Sequence, residues 1–70
     1  MTADPRIRTA ADGVQEVALT DARAVLSRLI EDAREGGRVS ALTVRGRRRI
    51  CLVTPEFYAE ALRLMDERSG

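Results

Sequence analysis

Five arginines and no acid lie between residues 38 and 49: Arg38, Arg45, Arg47, Arg48 and Arg49. They put a local charge of +5 into a chain whose formal net charge is only +1. Such a patch attracts anions, and nucleic acid is its usual partner. It serves equally as a solvated hairpin edge that resists aggregation. All 12 basic residues are Arg. A guanidinium fork grips phosphate and guanine bidentately, which leans toward nucleic acid. A coding bias toward Arg would leave the same composition. Catalytic chemistry is poorly supplied. With no His and a single Cys, Cys51, neither a Ser-His-Asp nor a Cys-His arrangement can be assembled. A structural zinc site lacks ligands for the same reason. Tyr58, Cys51 and the carboxylates form no recognisable constellation. The chain is therefore not expected to be an enzyme, nor to hold a metal or cofactor, nor to take a small-molecule substrate.

A second candidate is Arg23. The sequence Thr20-Asp21-Ala22-Arg23 precedes a helical apolar pattern, so Thr20 reads as the N-cap and Arg23 falls in the first turn. A cation there opposes the helix dipole at a cost of about 0.3–1 kcal/mol. It also stands where free N–H groups already favour phosphate. Arg23 is either an anion or base-edge reader, or it pairs with Asp21 and does nothing more.

The elements that must position these arginines can be read along the chain. Residues 1–13 form a flexible arm, with Pro5 and Gly13 and no apolar periodicity. Val14 to Leu19 reads as a strand with Val17 and Leu19 on one face. From Asp21, Ala22, Val25, Leu26, Leu29, Ile30 and Ala33 recur at helical spacing, and Gly36-Gly37 closes the helix after Arg34. Arg38 to Arg45 reads as a second strand and Gly46 as a tight turn. Ile50 to Thr54 reads as a third strand. Its unbroken apolar run implies burial on both faces, with Cys51 as a small core residue. Thr54-Pro55-Glu56 opens a last helix running to about Arg68, with Phe57, Tyr58, Ala61, Leu62, Leu64 and Met65 as its apolar residues. The order is β-α-β-β-α. The fold class is α+β, with a three-stranded, mainly antiparallel sheet. Residues 14–54 form the core and 55–70 the C-terminal helix.

A chain of 70 residues buries only about 60% of its unfolded surface. No disulfide is available, so a dimer is the expected route to stability. The longest apolar run, Ile50 to Val53, is far short of a membrane span. The first residues lack the apolar segment of a secretory signal. A cytoplasmic, membrane-free protein is expected.

The ordered segments V-A-L-T-D-A-R-A-V-L-S-R-L-I, G-R-V-S-A-L-T-V-R-G and I-C-L-V-T-P-E-F-Y closely resemble the Phd/YefM family of type II antitoxins. The match runs from about Glu16 to Leu64. The resemblance implies a homodimer, joined through sheet and helices, that binds operator DNA and represses its own operon. It implies that Arg23 reaches the major groove, with Thr20 beside the phosphates and Arg45 as the second contact. Arg47, Arg48 and Arg49 at the turn are then phosphate contacts, which position without specifying sequence. It also implies a toxin partner encoded by an adjacent gene. The last helix, with the acids Glu56, Glu60, Asp66 and Glu67 and with Arg63, is then a toxin contact or a dimer contact. Three departures stand out. The stretch from Arg45 to Thr54 is one residue shorter than usual. About a dozen residues precede the first strand. The chain stops soon after the last helix, where family antitoxins usually continue into a segment that wraps the toxin. Two other functions are open given these departures: a stand-alone regulator without toxin neutralisation, and a protein-interaction module with no DNA role.

Overall fold

A computed structural model describes residues 4–69. Four strands and two helices make a small α+β fold. They are β1 (Arg8–Thr9), β2 (Gln15–Ala18), α1 (Leu19–Gly36), β3 (Ser40–Val44), β4 (Arg47–Leu52) and α2 (Pro55–Ser69). The sheet order is β1-β2-β3-β4. The outer ladders are antiparallel, whereas β2 and β3 pair in parallel, with α1 as the crossover between them.

The sheet therefore has one strand more than expected, and it is mixed. The extra strand comes from the arm. Asp12-Gly13 closes a turn in which Ala10 N–H donates to the Val14 carbonyl and Gly13 N–H to the Ala10 carbonyl. Gly13 takes φ +88°, a conformation glycine adopts without steric cost. Arg8 and Thr9 then pair with Glu16 and Gln15, and Ile7 packs against the core. So the described part of the expected flexible arm is folded onto the sheet. Residues 1–3 of that arm, and residue 70 of the expected last helix, lie outside the described residues.

The core lies between α1 and one face of the sheet. Val17, Ala22, Val25 and Leu29 form it, with Ile7, Leu42 and Leu52 against its rim. Leu29 is 0% exposed. Beside it, the Ser40 hydroxyl donates to Gln15 Oε1 at 3.1 Å, both residues being buried. This polar pair joins residues directly opposite in the parallel register. Shifting the register would strand both groups without a partner.

The helices obey the sequence signals unevenly. Thr54 caps α2 as expected, its Oγ1 accepting from Phe57 N–H at 3.1 Å. Gly37 ends α1 in the left-handed region, with Arg34 in the last turn. The start of α1 differs. Its N-cap is Ala18, with no side-chain capping bond, because the last ladder pair, Ala18 with Thr43, runs straight into the helix. Thr20 is thus the second helical residue, not the cap. Leu19 belongs to the helix and is exposed, not on the inner strand face. Asp21 occupies the first turn, where its charge complements the dipole. Arg23 sits one turn in, so the electrostatic conflict expected of it does not arise.

The third expected strand is also corrected. It begins at Arg47 and ends at Leu52. It is an edge strand, so its apolar run is not buried on both faces: Ile50 is 58% exposed and Cys51 is exposed too, while Leu52 packs against the core. Nor does α2 pack on the core. Phe57, Tyr58, Leu62, Leu64 and Met65 are all exposed, and α2 extends the molecule to 44 × 27 × 22 Å. The accessible surface is 5720 Å², against ~4,300 Å² for a compact monomer of this mass. The radius of gyration is 13.3 Å, against ~11 Å. An apolar groove of about 230 Å³ lies where α1 meets the start of α2, walled by Leu26, Leu29, Ile30, Leu52 and Val53. No helix among the described residues is long and apolar enough to cross a membrane.

Candidate nucleic-acid interface

The parallel pairing of β2 and β3 decides which residues share an end of the sheet. Both strands run out together at the Ala18–Thr43 pair. From there β2 leads into the first turn of α1, and β3 leads into the hairpin turn Arg45-Gly46. Neighbouring strands lie about 4.8 Å apart. The uncapped N–H groups of α1, Thr20, Arg23, Arg45 and Arg47 are therefore gathered at one end. In open sheets with parallel strands, ligands favour the carboxyl ends of those strands.

The hairpin is tight. Val44 pairs with Arg47, leaving a two-residue loop. Arg45 has φ +53° and Gly46 φ +76°. Two central residues at positive φ are the mark of a type I′ turn, which usually takes Asn-Gly. An arginine in the left-handed region is strained by about 1–2 kcal/mol. Such strain is often held at functional positions. A bulge comes next: Thr43 faces Arg48 while Leu42 faces Ile50, so Arg49 has no residue opposite. Bulges re-aim side chains, and here the bulge falls within the arginine run.

Arg38 precedes β3 and so lies at the other end of that strand from Arg45; the arginines gathered at the turn end divide into two kinds. Arg23, Arg45, Arg47 and Arg49 are exposed and make no ion pair or side-chain hydrogen bond with any described residue. In particular, Arg23 does not pair with Asp21. Arg48 is bound. Its Nη1 and Nη2 donate to the two oxygens of Asp12 at 2.8 and 3.0 Å, and its Nε donates to Glu16 Oε2 at 2.8 Å. Arg8 holds the other Glu16 oxygen at 2.9 Å. To reach Glu16, Arg48 crosses β3, where the residue opposite Glu16 is the fully buried Ala41. The Arg48 hydrogen bonds hold the Asp12 carboxyl down at about 2. Arg8 first, then Arg48, lower that of Glu16. Asp12 and Glu16 in turn raise Arg48 above its usual range.

No family model, curated protein or solved structure matches this chain.

The acidic residues expected to meet a partner lie along α2, away from the arginine end. Arg63 bridges Glu60 and Glu67 on its own helix, so three of the five satisfy one another. Glu56 and Asp66 have no such partner among the described residues. Sequence reading missed the Asp12–Arg48–Glu16–Arg8 chain. The available signal was Asp12-Gly13, a dipeptide that favours hairpin turns, which pointed to a strand before it.

Proposed function

We propose that this protein is a dimeric DNA-binding repressor of the antitoxin type, similar to the Phd/YefM family, with α2 as the docking surface for a protein partner. One observation carries the DNA reading: the unpaired arginines and the uncapped start of α1 stand at the same end of the sheet. In this reading Arg23 reads base edges and Arg45 is the second contact. Thr20, Arg47 and Arg49 hold phosphates. Arg48, tied to two carboxylates, contributes least. Dimerisation is supported by the excess surface, by about 1,000 Å² or more over a compact monomer. Standard interfaces remove about 800 Å² per partner. The exposed Leu26, Ile30, Ile50 and Val53 supply an apolar contact. The protein-docking role of α2 is supported by its exposed Phe57, Tyr58, Leu62 and Leu64 beside Glu56 and Asp66, which pair with no described residue.

The test is titration of labelled DNA from upstream of the gene, against a scrambled duplex, with and without the co-expressed product of the neighbouring gene. Preference for the upstream duplex, altered by a co-purifying partner, is the expected result. DNA preference with no partner leaves a stand-alone regulator. Equal, salt-insensitive failure on both duplexes removes the DNA role.

A further inference from the structure

We propose that the N-terminal hairpin competes internally with DNA phosphate: Asp12 and Glu16 hold Arg48 folded back over the sheet, and opening this clamp adds Arg48 to the basic end. The inference rests on the DNA-binding reading above and gives it a regulatory element.

Arg48 sits between two arginines that are free of ion pairs, yet it is gripped bidentately. A carboxylate fork on a guanidinium is the geometry a phosphate would use. Asp12 is set for the role, because its Oδ1 also accepts from Val14 N–H at 3.1 Å, which orients the carboxylate from within its own turn. The Asp12 arm of the clamp is open to solvent, with side chains 35% exposed at Arg48 and 54% at Asp12, whereas the Glu16 arm is more covered, at 17% for the Glu16 side chain. Exposed ion pairs contribute little net stability, so a nearby polyanion can displace them. The hairpin that carries Asp12 is itself lightly held, by a two-residue strand and by Ile7. An acid placed in a lightly held element, on the one arginine of the 45–49 run that is ion-paired among the described residues, behaves as a tethered stand-in for phosphate.

The experiment is a double-mutant cycle read by anisotropy of a short labelled duplex of arbitrary sequence over a range of salt. The proteins are the parent, R48Q, D12N/E16Q and D12N/E16Q/R48Q, with circular dichroism confirming the fold of each. D12N alone, an isosteric change at an exposed side chain, carries the cycle if the double variant melts. Freeing one phosphate contact is expected to tighten binding about three- to ten-fold at ~0.1 M salt and to steepen the log–log salt slope by about one. R48Q is expected to abolish that gain in the D12N/E16Q background, since the freed contact is Arg48 itself. A folded D12N/E16Q that binds no tighter than the parent overturns the proposal. So does a gain that survives R48Q, which would mark a general effect of net charge. A parent and a D12N/E16Q variant that both fail to bind any duplex at low salt overturn the DNA reading itself, and the clamp's regulatory role with it.

Discussion

Arg45 is held in a backbone conformation that suits Asn or Gly better than Arg. A residue that costs stability where it stands is a candidate for work done elsewhere. The substitution Arg45→Asn separates the two. It supplies the Asn-Gly pair that type I′ turns favour, so thermal unfolding should show a gain of up to about 1 kcal/mol. DNA affinity should fall in the same protein. A variant that is more stable and binds DNA as well as the parent would remove Arg45 from the interface. Charge at the arm gives a second residue-scale prediction. Asp4 and Asp12 are held at about 2, the first by hydrogen bonds from Arg6 and the second by Arg48. Their folded values lie below the unfolded ones, so their stabilising pairings are complete above pH ~4 and fade as pH falls toward ~2. Amide protection factors at Ala10, Gly13 and Val14, taken relative to the intrinsic exchange rate at each pH, should fall across that window before the core opens. Uniform loss of protection in arm and core together would contradict it.

At the scale of elements, α1 is the hub. It supplies Ala22, Val25 and Leu29 to the core and places Arg23 at the sheet's end. Its packing is thin enough that one cavity matters. Leu29→Ala should cost about 2–5 kcal/mol, most of the stability of so small a domain, and chemical denaturation should show the variant largely unfolded at low concentration. A loss under about 1 kcal/mol would mean that α1 is held by something other than this core. The elements that were legible in the sequence are those whose signals are local and unopposed. Thr54-Pro55-Glu56 marked the start of α2 because cap, proline and acid agree. Gly36-Gly37 marked the end of α1. Thr20 misled because a good capping residue was overruled by the β2–β3 ladder, which runs to Ala18 and leaves no room for a cap two residues later. β1 escaped notice because two residues carry no periodicity; it exists by pairing with β2. The burial expected of Ile50-Cys51-Leu52-Val53 failed because hydrophobicity says that a strand wants cover, not that its own chain provides it. Of the candidate site, Arg45 stood out by its place in the basic segment and Arg23 by an expected first-turn position that the start of α1 at Leu19 moves one turn in, whereas the capture of Arg48 by Asp12 depends on a contact across 36 residues.

For the whole molecule, the surplus of surface is the governing fact. An extended α2, an edge strand with Ile50 exposed and a groove beside Leu26 and Ile30 are costly in water for a lone chain. In a two-fold dimer the same patch covers itself, and two copies of the arginine end would face DNA together. Sedimentation should therefore give twice 7.7 kDa at micromolar concentration, with a melting temperature that rises with protein concentration. Ile30→Glu, at an exposed position, should yield a monomer with a lower, concentration-independent melt. A parent that sediments as a stable monomer would contradict the dimer.

In the proposed function, the start of α1 and the Arg45-Gly46 turn form one DNA-reading end. Arg23→Ala tests it most directly, in anisotropy titrations of the upstream duplex and a scrambled one at fixed salt. The side chain is exposed and pairs with no described residue, so the fold should be untouched. Preference for the upstream duplex should drop by about 1–3 kcal/mol, roughly 5- to 150-fold, while binding to the scrambled duplex changes far less. A folded Arg23→Ala protein that keeps the parent's preference would contradict the account.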